Sequence, residues 1–479
     1  MNFFYDILIH NPQELVLVFL IILGLIFSMF NSQRLNKFAY LFALFGILTS
    51  LFSTLSINIT TDIGSDFSYT SSNLFSVVVK TLILFSTLLV IILSKKIINE
   101  HSKKSFEYVC LIFSGVLGAC CLVIANDFLT AFVSIEMLSV SGYLLTGFTK
   151  SPKSQEAAIK YLIQGCVASA FFLFGVSYIY GLSGSIHFAQ ISDFCFNGFP
   201  TFFYPALGLL CILGVMFKLG CVPFTNWIPD IYEGADYPVG AFLSLIPKIA
   251  GFAFLARLLA FVFPHMPLIT LSLEIIAVIS VAYGVFGAMA QKNIKRLWGY
   301  SSIIQSGFIL AAAVFMTVYS LSSVLFYLTV YVLMNLGVWC ASYQFKINTG
   351  SDLIDDNIGL YKKRPYFSFA YAICLVSLAG LPLTTGFLGK IYLFSSIMKN
   401  GIEFASLVFM LMLLSLVALF AYFNVIRQIF VSSSKLLSFP FKYTSADLLL
   451  YFCAFMTIVL CLIPNSFIKL SQIVSFYIN

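Results

Sequence analysis

LGLLCILGVMFKLGCVPFTNWIPDIYEGADYPVGAFLSLIPK, residues 207–248, decides how the rest of the chain is read. An apolar helix carries Lys218 near its middle, a break follows at Pro223, and a short acidic connection leads to a second apolar helix with Lys248 directly after Pro247. Holding a charged lysine at the centre of a membrane span costs roughly 2.5–3.5 kcal/mol even on lenient insertion scales, so such a residue is there for work. Two more positions follow the same rule, Glu136 within FVSIEMLSVSGY (132–143) and Lys390 at the end of LAGLPLTTGFLGK (378–390).

Composition fits a lipid solvent. Of 479 residues 60% are hydrophobic and 9% charged, with a mean hydropathy of +1.00, too little polar surface to coat a water-soluble globule of this size. Apolar segments of about 20 residues recur, the length a helix needs to cross about 30 Å of hydrocarbon, whereas barrel strands would alternate and be half as long. The expectation is an all-α polytopic membrane protein with about fourteen transmembrane helices. The N-terminal MNFFYDILIHNPQELVLVF has neither the basic start and small-residue cleavage site of a signal peptide nor the Arg and Ser richness of a transit peptide, and reads as the start of the first span.

Charge tests the span count. With loops alternating sides, nearly all cations outside the spans collect on one side, among them Lys95, Lys96, Lys150, Lys153, Lys292, Arg296, Lys362 and Arg364, while the other keeps Lys399 and Lys469. This is the positive-inside pattern; it makes the number of spans even and puts both termini on the outer face. The net charge of +7 thus reflects topology and implies no nucleic-acid partner. No CxxC occurs among the 11 cysteines, of which only Cys195 falls clearly in a loop, and the four histidines sit at segment edges. Iron–sulfur, zinc, disulfide and bis-histidine haem sites are therefore not expected. No P-loop, GxGxxG or Ser-His-Asp constellation is present either.

The seventh and twelfth spans share an irregularity. LGCVPFT (219–225) and AGLPLTT (379–385) each place a glycine two or three residues before a proline, Pro223 or Pro382, and a threonine two after it. Proline removes a backbone donor and glycine loosens the helix, so both spans should be broken. Paired interruptions in two halves of a transporter point to inverted repeats and an ion path. The expected organisation is a three-helix segment (1–106), two inverted five-helix repeats (107–263 and 264–430), and a last helix with its tail (431–479). The repeats differ in chemistry, because the tenth span offers only Ser301, Ser302, Gln305 and Ser306 where the fifth has Glu136.

Buried ionisable groups that bias one another can move protons. Low dielectric disfavours both charged forms and a nearby opposite charge restores them. Glu136 paired with Lys218 would be such a couple, with Lys248 taking the next proton; the blander alternative is a static ion pair that fixes helix register. Lys80 reads as a residue that snorkels to an interface or makes a local polar contact, Arg257 as one that snorkels, and Glu274 as interfacial. Asp230, Glu233 and Asp236 form either a solvated turn or partners for loop cations.

The blocks EMLSVSGYLL (136–145), EAAIKYLIQGCVASAFFLFGVSYIYGLSGSIHF (156–188), FKLGCVPFTNWIPDIYEGADYPVGAFLSLIPKIAGF (217–252), MAQKNIKRLWGYSSIIQSGF (289–308) and SLAGLPLTTGFLGKIYLF (377–394) resemble, in order and spacing, subunit N or chain 2 of proton-pumping NADH:quinone oxidoreductase, respiratory complex I. The resemblance covers most of residues 130–400. It implies a fourteen-span antiporter-like subunit whose central hydrophilic axis is Glu136, Lys218, Lys248 and Lys390. It further implies that this chain carries no cofactor, while NADH, FMN, iron–sulfur clusters and quinone serve the rest of the complex, and that its partners are neighbouring membrane-arm subunits and lipids. Thr225 departs from the family's histidine at that position. A stand-alone or Mrp-type cation/proton antiporter shares the same axis and is the alternative. Phe-, Ile- and Ser-rich, Ala-poor usage points to the mitochondrial inner membrane, with a bacterial plasma membrane as the other possibility.

Overall fold

A computed structural model describes residues 11–30, 33–55, 73–100, 104–196, 203–264, 266–357, 359–430 and 443–475. Among these residues the regular structure is helical, with only isolated bridges at Asp127–His187 and Asn293–Leu353. The first helices are α1 (Pro12–Met29), α2 (Gln33–Leu55), α3 (Leu74–Leu93), α4 (Ser105–Ile124), α5 (Phe128–Thr146) and α6 (Pro152–Ser183). There follow α7 (Phe203–Leu219), α8 (Trp227–Gly234), α9 (Tyr237–Arg257), α10 (Pro267–Met289), α11 (Ile294–Ala313) and α12 (Val318–Thr349). The chain ends through α13 (Pro365–Ala379), α14 (Thr385–Met398), α15 (Ala405–Phe430), α16 (Ser445–Leu462) and α17 (Pro464–Ser475). Eleven helices of the described residues are long and apolar enough to cross a membrane.

Starts and stops follow local chemistry. The Asp127 carboxylate accepts the Thr130 N–H at 2.8 Å and opens α5, and Pro152 occupies the first turn of α6, where its missing N–H is harmless. α7 and α13 stop at Gly220 and Gly380, whose φ values of +70° and +79° lie in the left-handed region that favours glycine. The irregular segments 220–226 and 380–384 hold Pro223 and Pro382.

The residues divide into two compact units. One contains the described residues up to Leu219 together with Leu245–Leu271; the other contains Gly220–Ser244 and Ser272–Ser475. In the first, α4 is almost wholly buried and packs on α1 and α5, while α7 lies along α6. A Cβ at Gly118 would stand 2.8 Å from Leu138 N, so α4 and α5 touch backbone to backbone there. In the second, the 32-residue α12 is the core, with α11, α13, α14, α16 and α17 packed on it.

Several expectations need correction. Lys218 is not near the middle of its helix but in the last turn of α7, because Gly220 ends the helix before Pro223 can. The acidic connection is not merely a turn: α8 occupies most of it, and Arg296 Nη1 bonds Asp230 Oδ1 at 2.7 Å and Glu233 Oε2 at 3.0 Å. Cys195 lies in a short helix, Phe188–Phe196. Of the two readings of Lys80, the polar contact holds and the snorkelling does not. It is buried and paired with Glu14 at 2.6 Å, with Asn11 Oδ1 at 3.0 Å. α1 begins at Pro12 and so carries that carboxylate, in its first turn, into the bundle. Arg257 is likewise buried, donating to Val123 O at 2.8 Å and to Asn126 Oδ1.

Two consequences can be measured. Lys80→Met strands the Glu14 carboxylate and should cost about 3–5 kcal/mol of stability, while Lys80→Met with Glu14→Leu should recover most of it; thermal unfolding of the detergent-purified protein reads both. The second concerns Asp352, in the connection after α12. Burial pushes its carboxyl up, but the Tyr237 hydroxyl at 2.7 Å, the Lys346 ammonium at 2.9 Å and the charge of Lys295 outweigh this and hold it below the usual carboxylate range. A lowered folded value means stability that is present above the ordinary value of about 4 and lost as pH falls through the lowered one. Asp352→Asn should therefore melt below the parent at pH 7, and the gap should close in acid.

Candidate functional site

Three of the four sequence-selected groups are buried: Lys218, Lys248 and Lys390 are 3%, 2% and 4% exposed. Glu136 is not fully buried, which corrects the expectation of four buried charges. It is partly buried and shares its stripe of α5 with the exposed Leu129, Val133, Val140 and Leu144. Its Oε1 accepts a hydrogen bond from Ser169 Oγ on α6.

Lys218 stands among rings. Its Nζ lies 5.1 Å from the centroid of Phe217, 5.8 Å from Tyr161 and 5.9 Å from Tyr143, within cation–π range. Tyr143 and Tyr161 meet edge-on at 4.6 Å, and Gly165 makes room for them, since a Cβ there would fall 1.7 Å from the Tyr143 hydroxyl oxygen. The charge of Glu136 acts on Lys218, but the ammonium has no hydrogen-bond partner among the described residues. The two are coupled through space and do not form a contact pair. Lys248 reaches the same unit from α9. One turn further along, Gly251 faces the end of α7: a Cβ there would meet Leu219 Cδ2 at 2.8 Å and Lys218 Cβ at 3.7 Å.

Lys390 belongs to the other unit. Its Nζ donates to Ala379 O, the last carbonyl of α13, at 2.8 Å, and lies 5.0 Å from the Phe308 ring centroid. Its stem crosses Gly380, where a Cβ would approach Lys390 Nζ to 2.8 Å. Both broken helices thus end in a lysine environment, one with the lysine in the last turn and the other with a lysine bonded to the end carbonyl. The negative end of a helix stabilises a cation, and the effect is strongest where water is excluded.

The residues flagged on the tenth span are also buried, in α11. Ser301 meets Tyr422 at 2.7 Å, Ser302 meets Tyr232 at 3.3 Å, and Gln305 accepts from Tyr327 at 2.5 Å. Tyr143, Tyr161, Ser169, Tyr327 and Tyr422 were not singled out by sequence reasoning. For Tyr143 a signal existed, because it follows Glu136 by seven residues and so returns to the same face of the helix. The others are joined only by tertiary packing.

Comparison with known proteins adds kinship. The family model described as "NADH:quinone oxidoreductase/Mrp antiporter, TM" matches residues 125–416. The chain is 37% identical over 434 residues, 89% of its length and 85% of the relative's, to NAD(P)H-quinone oxidoreductase subunit 2 of Prochlorococcus marinus (strain MIT 9312). It is 36% identical over 440 residues, 90% of its length and 86% of the relative's, to the chloroplastic subunit 2 of Mesostigma viride. Among solved structures, a chain of respiratory complex I from Thermus thermophilus with bound aureothin superposes with TM-score 0.80 at 26% identity, covering 96% of this chain and 99% of that one. A chain of the Mrp complex from Dietzia sp. DQ12-45-1b, at 17% identity with TM-score 0.82 over 97% of both chains, shares the fold. With the lysine-bearing breaks lying inside the matched region, the chain belongs to the NADH:quinone oxidoreductase/Mrp antiporter transmembrane family, on the branch of NAD(P)H-quinone oxidoreductase subunit 2.

Proposed function

We propose that this chain is a membrane-arm subunit of a proton-pumping NADH:quinone oxidoreductase, and that Glu136, Lys218, Lys248 and Lys390 are the groups that take up and release protons in it. The observation that carries the reading is Lys218, a buried ammonium in the last turn of a broken helix, influenced by Glu136 yet in contact with no hydrogen-bond acceptor among the described residues. A register-fixing ion pair needs direct contact to offset desolvation. A charge that is only biased from a distance can be released and recaptured when the bias changes. The proline-containing segments around Pro223 and Pro382 supply irregular backbone of the kind that survives in a membrane only beside a polar path.

In this reading residues 107–263 and 264–430 are the inverted repeats. The chain holds no redox centre; NADH, FMN, iron–sulfur clusters and quinone are handled by other subunits, and their electron transfer drives the proton steps here. Glu136 supports a partner as well. A carboxylate on an apolar stripe facing lipid is costly, and a neighbouring antiporter-like subunit lying on α5 and α6 removes that cost. The location proposed is the mitochondrial inner membrane with both termini on its outer face, supported by the residue usage and the one-sided cations.

The test uses assembled complex in sealed vesicles. Glu136→Gln, Lys218→Met, Lys248→Met and Lys390→Met should each lower protons pumped per NADH oxidised, by roughly tenfold or more where the group is an obligatory proton carrier. Dye quenching against NADH oxidation, with assembly matched on native gels, reads this ratio. Normal pumping by assembled Glu136→Gln and Lys218→Met would reduce both to helix-locking residues, and cation/proton exchange by the purified chain alone would favour the stand-alone antiporter.

A further inference from the structure

Gln305 on α11 is completely buried, and both ends of its amide are engaged. Oε1 accepts from the Tyr327 hydroxyl of α12 at 2.5 Å, and the carbonyl met by the other end, which can only accept, fixes which way the amide faces. Nε2 then donates to Leu378 O at 3.2 Å, with a longer approach to the Tyr422 hydroxyl oxygen at 3.5 Å. Leu378 is the penultimate residue of α13, and the carbonyl after it, Ala379 O, holds Lys390.

The end of a helix leaves four carbonyls without intrahelical donors. Here all four have a partner. The Gly380 N–H bonds Val376 O and Ser377 O, both at 3.0 Å, and the Leu381 N–H bonds Val376 O at 3.2 Å. Gln305 takes Leu378 O, which leaves Ala379 O for the ammonium. Two more contacts bind the same groups together. Phe308, one turn after Gln305, presents its ring to Lys390, and the Tyr327 ring fills the space beside Gly389, where a Cβ would fall 2.6 Å from Tyr327 Cδ2.

We infer that Gln305 is a positioning residue for Lys390: by occupying the Leu378 carbonyl it leaves the lysine a single acceptor at the end of α13 and so fixes where the ammonium waits between proton transfers. Without the amide, Leu378 O becomes a second open acceptor at the helix end, and the ammonium, with three N–H donors, is no longer confined to Ala379 O. Tyr327 acts one step further out, by holding the amide oxygen so that Nε2 stays on the carbonyl. Tyr422, at the longer distance, contributes least. This inference rests on the proposal that Lys390 carries a proton.

The experiment compares Gln305→Met, Tyr327→Phe, Tyr422→Phe and Lys390→Met in the assembled complex, reading protons pumped per NADH oxidised beside assembly and electron transfer. The three network variants are close in volume to the parent, so a packing role alone would leave the ratio unchanged. The expected order of loss is Gln305→Met, then Tyr327→Phe, then Tyr422→Phe, with the first lowering the ratio roughly two- to tenfold, the range for one buried hydrogen bond. A parental ratio in assembled Gln305→Met, or an equal loss in Tyr422→Phe, overturns the inference. Should Gln305→Met fail to assemble, Tyr327→Phe keeps the ring and decides the matter by the same ratio. Lys390→Met separates the two levels: parental pumping there refutes the role of Lys390, whereas loss there with parental pumping in Gln305→Met refutes only the positioning.

Discussion

A cation held in the environment of a helix's carbonyl end, inside apolar surroundings, is the interaction on which the rest depends. An intact span offers no such place, since its carbonyls bond to N–H groups one turn on and its ends lie at the membrane faces. Ending α7 at Gly220 and α13 at Gly380 creates one in each unit. The glycines permit the left-handed turn, and the prolines that follow prevent the helix from resuming at once. Lys390 is thereby given a carbonyl acceptor at a helix end, and Lys218 a place in the last turn of its helix.

The two units use this device with different surroundings. Around Lys218 the support is aromatic and long-range, from Tyr143, Tyr161, Phe217 and the distant charge of Glu136. At Lys390 it is a direct hydrogen bond, with neutral polar side chains arranged about the same helix end. The first arrangement biases a charge, and the second anchors one. This difference was visible early as the absence of an acid from the tenth span, where Ser301, Ser302, Gln305 and Ser306 stand instead. What looked like missing chemistry is a hydroxyl and amide network that includes Tyr232, Tyr327 and Tyr422.

Much of this was legible from residues alone, and for a physical reason. Lipid imposes one solvent on the whole chain, so hydropathy reports helices directly and a charge inside a span stands out. The breaks were legible because glycine and proline act locally. What was not legible depended on pairing across sequence. Lys80 looked unpartnered because Glu14 lies at the very start of α1, where a shift of a few residues in the helix start decides whether a carboxylate counts as loop or core. Arg257 looked like a snorkelling residue because its acceptors, Val123 O and Asn126 Oδ1, are a backbone atom and a neutral amide that no charge pattern marks. Lys218 appeared mid-helix because proline, the louder signal, lies three residues beyond the glycine that ends α7.

Glu136 shows how far a single chain can account for its own polarity. Nothing on α5 itself justifies a carboxylate between Val133 and Val140, both exposed. The Ser169 hydroxyl satisfies part of its bonding capacity, and Lys218 supplies attraction without contact. An ionised carboxylate accepts several hydrogen bonds, and one from a serine leaves most of its solvation to be made up elsewhere. A residue balanced in this way responds to whatever is placed against α5 and α6. The charge that acts on Lys218 thus lies on a face of α5 that the chain itself leaves partly open.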